Sequence, residues 1–252
     1  MHVQLPKPLH GWRAFAGEVG IIVLGVLLAL AFGQLVDAWQ WRDKVGHAEA
    51  AMRLELAEDD GPQAYARVLI GRCLDLQLTR IRDGAGTVPA NQLRQWAAAF
   101  VPPFRTWDSE AWKVVVASDT GSHMGSDRLV TWSSPYRIVP GLNELDDRES
   151  ELVIELRNDV PPTGELSATD QRSLQLTIAR LRLANHRFIT GSQLLLGRIG
   201  MLNAQVPQST QRQLIATARA MYGGSCITIP DLNSRPRAGS LEANLRSASL
   251  SE

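Results

Sequence analysis

The chain has 252 residues, 21% of them charged, with 26 Lys+Arg against 26 Asp+Glu. That balance sets up no overall field to gather nucleic acid or an acidic substrate, so no nucleic-acid partner is expected, and the length allows one sizeable soluble domain. Only Lys7, Lys44 and Lys113 are lysines and the remaining basic residues are arginine, a bias that with abundant Ala and Leu marks a GC-rich bacterial genome.

Residues 1–13 carry two prolines, two histidines, Lys7 and Arg13, too short and polar a stretch to fold alone, and are expected to form a cytoplasmic tail. The next stretch differs sharply. Residues 19–36, VGIIVLGVLLALAFGQLV, form an 18-residue run without a charge, which predicts a transmembrane helix over 14–38. Trp12 precedes it, and Trp39 and Trp41 follow. About 27 helical residues span roughly 40 Å, the thickness of a bilayer with its headgroups, so the three indoles are candidate membrane-interface anchors. A cleavable signal peptide competes for this segment through Ala29-Leu30-Ala31, which imitates a small-x-small cleavage site. The apolar run continues past that site and passes without a breaker into a helical pattern, which favours an uncleaved anchor. Gly25, Ala29 and Gly33 share one face of the helix, a spacing that lets two backbones approach and points to a homodimer through this segment. Glu18 suits the first turn of a helix.

The residues Gly17-Glu18-Val19, then Gly25, Leu27, Ala29 and Leu30, followed by Gln34 and a Trp at 39 or 41, form a recognisable set. This resembles the GE-(V/I)…G-x-L-x-A-L anchor of uncharacterised bacterial membrane proteins grouped as a domain of unknown function. The alphaproteobacterial members, which begin GWR-x-F-x-GE, are the most similar, and the likeness covers residues 11–42. It implies a short cytoplasmic N-terminus, one membrane helix and an extracytoplasmic helical domain. It implies no activity and no catalytic residue.

Beyond the span, Trp41, Val45, Ala48, Met52 and Leu56 recur in steps of three and four, so the membrane helix is expected to continue as a rod until Glu58-Asp59-Asp60-Gly61-Pro62 ends it. The three carboxylates read as a solvated helix end. A second helix over 62–83 places Tyr65, Leu69, Cys73 and Leu76 on one face, and Gly84-Ala85-Gly86 reads as a turn. A short helix over 89–100 stops at Pro102-Pro103. The segment WKVVVAS is β-branched, yet it follows Asp108-Ser109-Glu110 and has no partner strand, so it is assigned to a helix. A loop over 118–126, a helix over 127–137, a break at Pro140 and a helix over 141–158 complete the middle of the chain.

The strongest pattern follows Pro161-Pro162. Ser167-x-x-Asp170 predicts a helix cap, and Leu174, Ile178, Leu181, Asn185, Phe188, Ser192, Leu195, Ile199 and Leu202 then hold a heptad seam without a slip. The seam is expected to pack on the rod and the second helix, with a dimeric coiled coil as the alternative. Its polar members Asn185 and Ser192 read as register-setting residues. A last helix over 208–222 leads past Gly223-Gly224 to a disordered tail over 231–252.

Orientation is undecided by charge, since Lys7 and Arg13 on one side meet Arg42, Lys44 and Arg53 on the other. The two cysteines, Cys73 and Cys226, lack C-x-x-C spacing and clustered histidines, and in a periplasmic domain they are expected to form a disulfide that pins the C-terminal segment to the core; the alternative is one buried and one exposed thiol in a cytoplasmic domain, with the topology reversed. No HExxH, phosphate loop or G-x-S-x-G is present, and Ser122-His123 near Asp119 and Asp127 is sequence adjacency without triad geometry. The expectation is an all-α, single-pass inner-membrane protein with a periplasmic domain over 39–230. Neither a metal nor a cofactor is expected, and an interaction module of the envelope is favoured over an enzyme or a small-molecule-binding sensor bundle.

Overall fold

A computed structural model describes residues 12–230 apart from 104 and 162–164, together with Leu232. The proposed cytoplasmic tail, save its last two residues, and the C-terminal tail other than Leu232 lie outside the described residues. Those described are all-helical, in the order α1 Trp12–Glu55, α2 Gly61–Gly84, α3 Ala90–Ala99, α4 Glu110–Ala117, α5 Thr120–His123, α6 Ser126–Tyr136, α7 Val139–Asn158, α8 Ala168–Met201 and α9 Gln208–Tyr222.

The first 73 residues of helix are continuous in a way the sequence pattern did not suggest. Leu56–Asp60 forms a single π-helical turn that joins α1 to α2, so the chain does not stop at the acidic run. Pro62 explains the turn. Proline has no N–H to donate and its ring presses on the carbonyl four residues back, which an α turn cannot accommodate. Widening the preceding turn, with the Gly61 N–H donating to the Leu56 carbonyl, carries the helix around it. Gly61 is required there, because a Cβ would lie 2.5 Å from the Leu56 carbonyl oxygen and 2.9 Å from Val206 Cγ2.

The π-turn also corrects the reading of its acids. Glu58 and Asp59 are exposed, but Asp60 is fully buried. Its Oδ1 accepts the Asp108 N–H at 3.0 Å, and Glu55 Oε2 accepts the Ala111 N–H at 2.8 Å. Two carboxylates from the rod thus satisfy the amides that enter α4, which α helix starts leave unpaired.

Along α1 the side chains of residues 15–40 are exposed throughout, and burial begins at Trp41 and proceeds through Val45, Ala48, Met52 and Leu56, the periodic face. An 18-residue window in this helix has mean hydropathy 2.6 with none of it buried, so it is long and apolar enough to cross a membrane. The helical body is built around α2, which packs on α8, α9 and α3; α8 also packs on α7 and α6, while α1 receives α4 and α5. Tyr65, Leu69 and Cys73 are buried as expected, whereas Leu76 is exposed; the inner face of α2 continues through Leu74, Leu78 and Ile81. Every seam residue of α8 from Leu174 to Ile199 is buried, as is Leu202, and Ser167 with Asp170 makes the reciprocal capping box. The seam's main partners are α2 and α7; of α1 itself, Arg53 reaches the Leu202 carbonyl. Pro140 lies in the first turn of α7, where a missing N–H is harmless, so it starts that helix and does not interrupt the path before it. The stretch expected as a loop holds the short α5.

Two outcomes test the π-turn. Gly61→Ala should lower the unfolding midpoint of the full chain by an amount worth about 1–3 kcal/mol, since backbone and Val206 must shift to admit the methyl. Burial pushes the Asp60 carboxyl from 3.8 to about 7, with the Asp108 amide opposing and Glu55, Asp108 and Asp59 adding. Because the folded value exceeds the unfolded one, the native state binds the extra proton and loses stability as pH rises from about 4 to 7. Asp60→Asn, which keeps the acceptor for Asp108, should abolish that loss. Urea midpoints near pH 5 and 8 should show the wild type falling by roughly 2–3 kcal/mol more than the variant.

Candidate functional site: a buried ionic cluster and the groove beside it

Three helices bring polar side chains to one point inside the body. In α2 the residues Ala64, Arg67, Gly71, Leu74, Leu78 and Ile81 follow heptad steps, and so do Leu142, Asp146, Glu149, Val153 and Leu156 in α7; all are buried. Each seam carries polar groups at its middle. Arg67 has no exposed surface, Glu149 retains 2% and Asn185 of α8 3%. The Arg67 guanidinium grips Glu149 in a fork, Nη1 donating to Oε2 at 2.8 Å and Nη2 to Oε1, and Nη2 donates also to Asn185 Oδ1 at 3.0 Å. Asn185 Nδ2 donates in turn to the Gly71 carbonyl at 2.9 Å. The guanidinium lies 4.3 Å over the Phe188 ring, itself 5.9 Å from the Trp107 ring. Planar Arg suits this role, since one rigid fork serves carboxylate, amide and ring together.

A second pair adjoins the first. Asp146, 4% exposed, accepts the backbone N–H of Arg105, whose own side chain is 8% exposed. Burial raises the Asp146 carboxyl above its ordinary value, and the Arg105 amide and the two guanidiniums pull it down. Burial, aided by Arg67, lowers Arg105 to about 10, so it is a cation at neutral pH. Among the described residues the Arg105 guanidinium makes no hydrogen bond or ion pair, and its Nη1 is buried without a partner. Arg105 lines a groove of 310 Å³ between α2 and α9.

Asn185 of the expected polar pair is therefore part of the cluster, while Ser192 is fully buried with its Oγ unpartnered, outside the cluster. Asn185 also lines a 670 Å³ surface groove flanked by the Arg182–Asp75 ion pair, though its amide is already engaged. Cys73 and Cys226 are joined in a disulfide, Cα atoms 4.9 Å apart, and beyond it the Thr228 N–H donates to the Leu69 carbonyl at 3.0 Å. The bond closes a loop of sequence separation 153, which stabilises by roughly 4–5 kcal/mol in the chain-entropy picture. Trp12 and Trp39 are exposed, whereas Trp41 is half-buried, stacked 3.7 Å from His123 of α5 with Lys44 over its ring. Trp41 thus seats the domain on the rod. Gly25, Ala29 and Gly33 lie on an open face, with no atom within 4 Å of a Cβ added at either glycine. Ser122 and His123 bond to each other and to the Asp119 carbonyl on the surface, a local turn. Among the described residues no group of three or more His, Cys, Asp or Glu could hold a metal ion.

Arg67, Glu149, Arg105 and Asp146 were missed by sequence reasoning. For Arg67, Asp146 and Glu149 the signal was a charged residue at an inner heptad position, in α2 one register off the expected face, whereas Arg105 lies between helices and carried no such signal. Compared with models of known protein families, with curated proteins and with solved structures, the chain matches none.

Glu149→Ala should cost about 3–5 kcal/mol by leaving the Arg67 cation stranded, whereas Arg67→Met combined with Glu149→Leu should recover most of that loss. Denaturant midpoints of the single and double variants decide it; a double variant as weak as the single one would mean that shape, not charge, governs the site.

Proposed function

We propose that the chain is a single-pass protein of the bacterial inner membrane, with its N-terminus in the cytoplasm and its helical domain in the periplasm. The domain acts as a non-catalytic interaction module of the envelope. The observation that carries this reading is the contrast within α1, where a bare apolar stretch over residues 15–40 is followed at once by a side chain committed to the folded body. A cation and an anion at the centre of that body answer each other in a fork, an arrangement suited to holding helices in register. The disulfide favours an oxidising compartment for the domain. The likeness of residues 11–42 to the anchors of uncharacterised membrane proteins points the same way. Gly25, Ala29 and Gly33 supply a face for pairing two copies of the span.

For the partner, α4 and α6 leave Val114, Val116 and Val130 exposed at 65%, 58% and 69%. Isolated apolar residues on a surface are ordinary, but three branched side chains on neighbouring short helices are where an envelope protein would dock. Photocrosslinking residues placed at 114 and 130 in living cells should trap one reproducible envelope protein, lost on Val114→Asp with Val130→Asp. Recovery of uncrosslinked chain alone would sink the interaction reading. Topology is read separately. In intact cells an impermeant maleimide should label Cys73 and Cys226 only after reduction; labelling that appears only once the inner membrane is broken would place the domain in the cytoplasm, and labelling without a reductant would rule out the disulfide.

A further inference from the structure

We propose that the groove between α2 and α9 binds a monomeric long-chain carboxylate, a fatty-acid-like amphiphile, with the Arg105 guanidinium holding its head group.

Arg105 is the starting point. A guanidinium that is nine-tenths buried, with Nη1 sealed from solvent and unpartnered, is costly until an acceptor is supplied. The chain does not supply one. Both oxygens of the nearby Glu149 are taken by Arg67; one oxygen of Asp146 accepts the Arg105 backbone amide, and its Oδ2, buried without a partner, makes no hydrogen bond to the guanidinium. At neutral pH Arg105 is charged, and Asp146 and Glu149 attract it without bonding to it, so what it lacks is an acceptor that reaches its donors directly, a role that suits a carboxylate.

What surrounds the charge selects the rest of the ligand. The groove encloses 310 Å³, at the small end of the roughly 300–1,000 Å³ typical of ligand sites. Arg105 is the one charged residue lining it, and Ala66, Ile70, Leu214, Ala218 and Met221 supply apolar wall. A head with one negative charge and a flexible apolar body fits both parts. A monoanion is favoured over a phosphate dianion, because Glu149 and Asp146 lie behind the single free guanidinium and repel added negative charge. A planar carboxylate also matches the guanidinium fork. Ala218 is the buried residue of α9, and beyond that helix the chain is fastened by the Cys73–Cys226 bond.

The source follows from position, and this step alone rests on the membrane reading above. With 14–38 in a bilayer, α1 from residue 39 to Glu55 interposes about 25 Å of helix before the π-turn and the groove. A bilayer lipid cannot bring its head group there. The ligand is an amphiphile that travels as a monomer.

The test uses the full chain in lipid nanodiscs, a diazirine-bearing dodecanoate as probe, and peptide mass spectrometry to locate adducts. Adducts are expected on the α9 wall near Leu214 and Met221, competed by dodecanoate and not by dodecanol. Arg105→Gln should lower groove labelling about tenfold or more, the loss expected for a hydrogen bond to a charged partner. Thr217→Trp, on the exposed groove rim, should block labelling with the fold intact, and so decides the matter if Arg105→Gln disturbs the cluster. Circular dichroism and disulfide content check folding in each case. Labelling unchanged by Thr217→Trp, equal competition by dodecanol or by dodecyl phosphate, or adducts confined to residues 15–38 would overturn the proposal. The maleimide experiment reports on topology independently, so failure of one reading does not mimic failure of the other.

Discussion

Arg67 carries a positive charge to the centre of a helical bundle, where a guanidinium is tolerated only if its charge is answered on the spot. Glu149 meets the charge, Asn185 takes a further donor, and Phe188 offers the face of its ring. Those three partners come from two helices far downstream of α2. The pair is therefore satisfied in one arrangement of α2, α7 and α8 only, and a slip of either helix by one residue strands a charge. Apolar packing alone would tolerate such slips more cheaply. The leucines and isoleucines of the seams supply the bulk of the burial, and the fork chooses among the ways in which they could be stacked.

The second constraint is the proline at 62. Had it ended the helix, the domain would have hung from the apolar stretch on a turn. The π-turn instead keeps the rod running into the central helix of the core, and it turns two acids inward at the same time. Asp60 and Glu55 then hold the segment that leads into α4, so the feature that bypasses the proline also organises the region nearest to it. Gly61 makes this possible by leaving out the one carbon that would collide with its own helix.

How much of this was legible depended on whether the deciding contact was local. The α8 seam could be read residue by residue, because helical periodicity and burial are there the same fact, and the Ser167–Asp170 box marked its start. The helix through Trp112 and Val116 was legible from the Asp108-Ser109-Glu110 run at its start in spite of three valines. The disulfide was legible as a pairing, there being two cysteines in all. Arg67 was not. It stands in the same helix as the exposed Arg72, and what separates them is a carboxylate more than eighty residues away. Asp60 was hidden for a similar reason: beside Glu58 and Asp59 it looked like part of a solvated run, and the amide that claims it belongs to another segment. Arg105 follows a pair of prolines in a stretch with no periodicity to interpret, and its isolation from acceptors is a property of the assembled body.

The unbroken helix from Trp12 to Gly84 has a further meaning once the apolar stretch lies in a bilayer. A domain tethered by a flexible linker samples a volume, with a reach that grows as about 5–6 Å times the square root of the linker length. Here there is no linker to sample with. Trp41 is already stacked on His123 a few residues past the apolar stretch, so the body stands at a set height and turns only as its anchor turns. Such a protein cannot search upward or outward for what it binds; its field of action is a thin layer parallel to the membrane, and whatever it meets must pass through that layer.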